Sequence, residues 1–189
     1  TASVTLLVQP LDTDYNGNGR SDLAVYDPAT GAWYIRTLAG QEILWNLPWG
    51  GPGFDPMAGD YNGDGLADLA VYDRSQGLWY FRRLPQDILA WADPWGRAGL
   101  RPVAGDFNGD GLADLAVYDA TLGLWYVRTL EGTCLAWAQS WGGPGFEPVA
   151  GDFDGDGRSD LAVYHRASGA WYIRSLTAGV LAWAETWGG

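Results

Sequence analysis

Apolar residues fall in short runs broken by turn-forming residues along the whole chain, and the stretch from Gly53 to Gly96 displays the unit. Gly53-Phe54-Asp55-Pro56-Met57-Ala58-Gly59 reads as a short strand, and an acidic, glycine-rich loop from Asp60 to Asp68 follows it. Leu69-Ala70-Val71-Tyr72 then predicts a second strand, with Leu69 and Val71 on one face and Ala70 and Tyr72 on the other. Arg74-Ser75-Gln76-Gly77 is a turn, and the aromatic-rich Leu78-Trp79-Tyr80-Phe81-Arg82 is a third strand. A second turn at Pro85-Gln86-Asp87 leads into a fourth strand, Ile88-Leu89-Ala90-Trp91-Ala92, and Trp95-Gly96 closes the unit. Nowhere does a helical period survive for three turns.

The unit repeats. Trp-Gly pairs stand at Trp49-Gly50, Trp95-Gly96, Trp141-Gly142 and Trp187-Gly188, each 46 residues from the next, and acidic segments open at Asp14, Asp60, Asp106 and Asp152 with the same spacing. There is no insertion, linker or low-complexity tract between copies. Four strands in 46 residues is the size of a β-propeller blade. The expected fold is all-β: one repeat domain over residues 1–189, with four four-stranded blades at about 5–50, 51–96, 97–142 and 143–188. A closed four-bladed monomer is the favoured architecture, and half of an eight-bladed homodimer is the alternative. The first copy opens Thr5-Leu6-Leu7-Val8-Gln9-Pro10 where the others carry Gly-Pro-Gly-Phe or similar, which suggests a terminus with a different neighbour. The start at Thr1, with no Met and no visible signal peptide, predicts a mature or excised fragment.

Charge removes several partners. Asp and Glu number 23 against 11 Lys and Arg, and the net charge of −12 argues against nucleic acid and against an anionic membrane surface. No apolar run of 18 residues predicts membrane insertion. The single cysteine, Cys134, forms no internal disulfide and reads as a small buried hydrophobe. The single histidine, His165, stands where the other copies have Asp27, Asp73 and Asp119, and reads as a turn residue rather than a base. The twelve tryptophans are three per copy and are expected to fill the space between blades. The alternative reading is sugar stacking on exposed indoles, with the Trp-Gly set the expected exposed one. Arg36, Arg82, Arg128 and Arg174 are expected to snorkel beside aromatic rings or pair with blade acids, with a ligand clamp as the alternative.

The chemistry sits in the four aligned loops. They run Asp14-Tyr15-Asn16-Gly17-Asn18-Gly19-Arg20-Ser21-Asp22, Asp60-Tyr61-Asn62-Gly63-Asp64-Gly65-Leu66-Ala67-Asp68, Asp106-Phe107-Asn108-Gly109-Asp110-Gly111-Leu112-Ala113-Asp114 and Asp152-Phe153-Asp154-Gly155-Asp156-Gly157-Arg158-Ser159-Asp160. Oxygen-bearing side chains fill loop positions one, three, five and nine, while glycine at four and six permits a tight winding. Hard oxygens turned inward suit Ca²⁺, with a backbone carbonyl at position seven and water completing the shell. Zinc is disfavoured without Cys or His ligands. An EF-hand fails because its twelfth position, a bidentate Glu, is Val25, Val71, Val117 or Val163 here, and because the flanks are strands.

The segment Ala58-Gly59-Asp60-Tyr61-Asn62-Gly63-Asp64-Gly65-Leu66-Ala67-Asp68-Leu69-Ala70-Val71 resembles the FG-GAP repeat, also catalogued as the VCBS repeat, with Trp-Gly where that family has Phe-Gly. The resemblance implies an extracellular, calcium-stiffened β-propeller used for adhesion or ligand binding. It implies metal ligands at Asp60, Asn62, Asp64, Asp68 and the carbonyl of Leu66. The equivalents are Asp14, Asn16, Asn18, Arg20 and Asp22; Asp106, Asn108, Asp110, Leu112 and Asp114; and Asp152, Asp154, Asp156, Arg158 and Asp160. Up to four Ca²⁺ are expected, tightest at Asp152–Asp160 and weakest at Asp14–Asp22, where Asn18 leaves two carboxylates. No nucleophile–base pair or phosphate loop is present, so a non-enzymatic scaffold or adhesion module is expected, with a carbohydrate-binding, lectin-like propeller as the alternative. The remaining partner is then a glycan or a protein ligand.

Overall fold

A computed structural model of the chain describes residues 5–6, 13–85 and 87–188. Every regular element is a strand, and the strands form four four-stranded antiparallel sheets in sequence order, the arrangement of propeller blades. The first sheet holds β1 (Thr5–Leu6), β2 (Leu23–Asp27), β3 (Ala32–Arg36) and β4 (Glu42–Pro48). The second holds β5 (Phe54–Gly59), β6 (Asp68–Asp73), β7 (Leu78–Arg83) and β8 (Asp87–Pro94). The third is β9 (Arg101–Gly105), β10 (Asp114–Asp119), β11 (Leu124–Arg128) and β12 (Cys134–Ser140). The fourth is β13 (Phe146–Gly151), β14 (Asp160–His165), β15 (Ala170–Ser175) and β16 (Gly179–Thr186). Of the first copy's opening segment, residues 7–10 lie outside the described residues. Chain contacts group the sheets into two compact units, Thr1–Gly99 and Leu100–Gly189.

The alternation in the second strand sorts each blade into two faces. In the first blade Ala24, Tyr26, Trp33 and Ile35 form the trailing face, while Leu23, Val25, Tyr34 and Arg36 lie on the leading one. Within the first unit the core joins trailing Tyr26, Trp33 and Ile35 to leading Leu69 and Val71 of the next blade. Within the second unit Tyr118, Trp125 and Val127 meet Leu161 and Val163 in the same way. Two polar clasps lock these layers. The Trp33 indole N–H donates to the Trp49 carbonyl at 2.9 Å, and Trp125 donates to that of Trp141 at 3.0 Å. The Tyr26 hydroxyl donates to the Gly51 carbonyl at 3.1 Å and accepts the Gly51 N–H at 2.8 Å, satisfying both buried backbone groups.

The tryptophans divide differently from the expectation. The third-strand set, Trp33, Trp79 and Trp125, is fully buried as a blade filler. The exposed set is not chiefly the Trp-Gly one, because Trp49 and Trp141 are buried; it is Trp45, Trp91, Trp137 and Trp183 on the outer strands. A register shift in each outer strand accompanies a left-handed residue directly after that tryptophan: Asn46, Ala92, Ala138 and Ala184, with φ of 59°, 57°, 53° and 56°. The bulge turns each indole edge-on to a third-strand tyrosine, at 5.0 Å for Tyr34–Trp45 and for Tyr80–Trp91. Cys134 also departs from expectation. It opens β12 at the blade's outer edge and is exposed, not buried.

Candidate metal centre

Each acidic loop is wound by its first aspartate. Asp14 Oδ1 accepts the backbone N–H groups of Asn16, Gly17 and Asn18, and its Oδ2 accepts that of Gly19 at 2.6 Å. Asp60 takes Asn62, Gly63 and Gly65; Asp106 takes Asn108, Gly109 and Gly111; Asp152 takes Gly155, Asp156 and Gly157. Glycines at positions four and six, with φ between 73° and 86°, allow the N–H groups to converge on one carboxylate. Burial opposes ionisation of Asp14, but the four backbone donors outweigh it and hold its pKa below the ordinary value.

The ninth-position aspartate lies deeper, where loop becomes strand. Asp22, Asp68, Asp114 and Asp160 are all buried, and each accepts the N–H of loop residue two: Tyr15, Tyr61, Phe107 and Phe153 at 2.7–3.0 Å. Burial first, and then the like charges of Asp60 and Asp64, push Asp68 up to about 7. Asp114 is pushed up to about 7 by burial and by Asp106 and Asp110, and Asp160 is raised for the same reasons. Position five closes the winding, since Asp64, Asp110 and Asp156 accept the N–H of Leu66, Leu112 and Arg158 at 2.8–2.9 Å. Asn18 and Arg20 of the first loop are exposed and make no equivalent bond among the described residues.

The loops differ in how their inner carboxylate is satisfied. Asn16 and Asn62 donate their side-chain amides to both oxygens of Asp22 and Asp68 at 2.8–3.2 Å. The Asn108 amide instead reaches Asp110 at 2.8 Å, and Asp64 pairs with Arg83 at 2.7 Å. The fourth loop has Asp154 at position three, which offers no donor, and Oδ1 of Asp160 is buried without a hydrogen-bond partner. Among the described residues, Asp152, Asp154 and Asp156 alone bring three carboxylates together, with ligand oxygens within 4.8 Å of one another. A divalent cation with oxygen preference fits that donor set: three carboxylates with no ion pair among the described residues and one orphaned buried oxygen in the same loop.

A contact that the sequence did not signal ties neighbouring loops. Ala67 N–H donates to the Asp14 carbonyl at 2.8 Å in the first unit. In the second, Ser159 N–H donates to the Asp106 carbonyl at 2.5 Å, while the Ser159 hydroxyl accepts the Asp106 N–H at 3.1 Å. Loop position eight therefore staples the second blade to the first and the fourth to the third. Outside the loops, His165 has taken over a turn: its Nδ1 lies 2.7 Å from Ser168 Oγ, where Asp27 bonds Thr30.

The FG-GAP-like repeat family matches residues 14–71 and 106–163, two spans that each run from one acidic loop through the next blade's second strand and together cover over half of the chain. The chain belongs to the FG-GAP-like repeat family. No curated protein matches it. This FG-GAP-like chain is similar in fold to the crystal structure of a protein of unknown function from Bacteroides caccae, at 13% identity and a TM-score of 0.50, over 96% of this chain and 72% of that one. The V. cholerae biofilm matrix protein Bap1 matches at 20% identity and a TM-score of 0.44, over 98% of this chain and 30% of that one. The family match spans the loop residues named above, from Asp14 to Asp68 and from Asp106 to Asp160.

Proposed function

We propose that this FG-GAP-like chain is a non-enzymatic, calcium-binding module of the β-propeller type, acting outside the cell as a scaffold, adhesion or ligand-binding unit. The fourth loop carries the reading: three clustered carboxylates lie in the same loop as Asp160, whose inner oxygen no protein donor satisfies. Asp152, Asp154, Asp156 and Asp160 would hold Ca²⁺ there. The ion would supply the positive charge that Asn16 and Asn62 replace with amide donors in the first two loops. Because Asp160 opens β14 and Ser159 bonds Asp106, an ion in this loop would brace both blades of the second unit. Exposed carboxylate loops of this kind suit the 10⁻⁴–10⁻³ M affinities typical of extracellular calcium modules, roughly. The net charge of −12 disfavours nucleic acid and anionic membranes as partners, and the one histidine is engaged in a turn. Calcium content and melting of metal-stripped chain test the reading: a site filled at a hundredfold excess over its Kd adds about 2.7 kcal/mol of stability. Equal midpoints in chelator and in calcium would overturn it.

One observation favours a second reading, a lectin-like use of the outer strands. Trp45, Trp91, Trp137 and Trp183 are exposed, each with a tyrosine edge beside it, the geometry of an aromatic platform for sugar rings. Saturable binding to one sugar class on a glycan array would favour it, and no binding would remove it.

A further inference from the structure

In two blades the segment after the third strand reaches back to the acidic loop of the same blade. In the fourth blade the Thr177 hydroxyl, between β15 and β16, donates to Oδ2 of Asp156 at 3.3 Å. In the second blade Nε of Arg83, at the end of β7, lies 2.7 Å from Oδ2 of Asp64, the same loop position. One blade brings a neutral hydroxyl to position five and the other brings a cation.

Arg83 departs from the repeat. Its equivalents in the other copies are Thr37, Thr129 and Ser175. Each of those hydroxyls braces the turn that follows it. Thr37 accepts the Gln41 N–H at 3.0 Å, Thr129 accepts that of Thr133 at 3.2 Å, and Ser175 accepts those of Thr177 and Ala178 at 3.2 Å. An arginine side chain has no acceptor, so the second blade lacks this brace and has the Asp64 ion pair instead.

The rest of the second loop is satisfied without a metal. Asp60 accepts three loop N–H groups, and Asn62 gives its amide to both oxygens of Asp68. The Asn62 side-chain oxygen accepts the Asp64 N–H at 3.1 Å. Positions one, three, five and nine therefore all have protein partners. The fourth loop differs at three of them: Asp154 has no amide to give, Asp156 meets a hydroxyl, and Oδ1 of Asp160 is without a partner.

We propose that Arg83 is a tethered cation standing in for the metal at the second loop, which stays wound without calcium and disfavours the ion. The resemblance to calcium-binding repeats implies an ion in this loop, and the residues present do not fit one. Calcium at Asp60 and Asp64 would have to displace the guanidinium. A unit charge still tethered about 6 Å away, in a water-like dielectric at low ionic strength, weakens binding of a divalent ion roughly tenfold. The inference rests on the calcium reading for its choice of ion, and the experiment separates the two.

Equilibrium dialysis of the intact, metal-stripped chain against calcium, with Arg83→Thr beside the parent, tests it. The substitution restores the residue of the first and third copies, and circular dichroism checks the fold. Should Arg83→Thr misfold, Arg83→Gln removes the charge and keeps most of the length. Arg83→Thr should bind one calcium more than the parent. At the concentration that half-fills this added site, the parent's second loop should be only about one-tenth filled, as the tenfold difference requires. Adding Asp64→Ala to Arg83→Thr should remove the extra ion, and Arg83→Lys, which keeps the charge, should bind as the parent does. An uncharged variant that gains no ion overturns the proposal, as does a parent that loses one on Asp64→Ala. Failure of the fourth-loop reading looks different: the parent then binds no calcium that Asp152→Ala/Asp156→Ala removes, whatever Arg83→Thr gains.

Discussion

Replacing Asp154 by Asn would give the fourth loop the residue that stands at position three of the other three. In the metal-free chain this change should stabilise. Unit charges about 4.8 Å apart in a water-like dielectric repel by about 1 kcal/mol per pair, and the substitution removes two of the three pairs among Asp152, Asp154 and Asp156. Screening at physiological ionic strength halves that gain to about 1 kcal/mol. The new amide can donate to the orphaned Oδ1 of Asp160, as Asn62 donates to Asp68 at 2.9 Å, which contributes about 1 kcal/mol more. The total of about 2 kcal/mol corresponds to a rise of roughly 4–8 °C for a chain of this length. The assay is thermal unfolding by circular dichroism in EDTA, repeated in millimolar calcium. Asp154→Asn should melt higher than the parent in EDTA and gain less than the parent from calcium, because a carboxylate ligand has been lost. A lower or unchanged midpoint in EDTA would refute the account of crowded carboxylates, and an undiminished calcium gain would remove Asp154 from the ligand set.

Other consequences concern the same framework. Tyr118→Phe strips the Gly143 N–H of its partner at 2.9 Å and leaves the Gly143 carbonyl to the Phe146 N–H alone, and should cost about 1–3 kcal/mol in urea unfolding without altering calcium binding. Gly123→Ala would set a Cβ 2.5 Å from the Gly142 carbonyl at a φ of 68°, and a loss of about 3 kcal/mol or failure to accumulate folded protein is expected on expression and melting. In EDTA the chain should melt lower at pH 8 than at pH 5. Asp68 and Asp114 have folded-state pKa values raised to about 7, so the stability they contribute is full below the ordinary carboxylate range and is lost as pH rises through 7. Midpoints that climb steadily over that window would contradict the burial of these two groups.

The periodicity made most of the fold legible. A 46-residue repeat with four short apolar runs specified four-stranded sheets, and the alternation at Leu69–Tyr72 assigned both faces. The outer strands were less legible, because the left-handed residue after Trp91 is an alanine, which carries none of the usual glycine or asparagine signal. That bulge decides which tryptophan faces solvent, and it puts the outer-strand set outside in place of the Trp-Gly set. Cys134 is exposed for a related reason: the edge of an outer strand is open to water, and residue type says little there. In the loops, spacing located every oxygen-bearing side chain but not its depth. That Oδ1 of Asp160 is buried and lacks a donor depends on Asp154 standing where Asn16 and Asn62 supply one, a difference of one residue that acquires meaning only in three dimensions. The staple from Ser159 to Asp106 joins residues 53 apart, and one of its two bonds runs between backbone groups, to which sequence is silent.

The central claim is that the fourth loop is a calcium site. Equilibrium dialysis of the metal-stripped chain against millimolar calcium, set beside an Asp152→Ala/Asp156→Ala double variant, tests it most directly. The account predicts saturable calcium on the parent and the loss of its tightest-bound ion in the variant. Calcium-free parent protein at saturation, or a variant that retains the tightest ion, would contradict it.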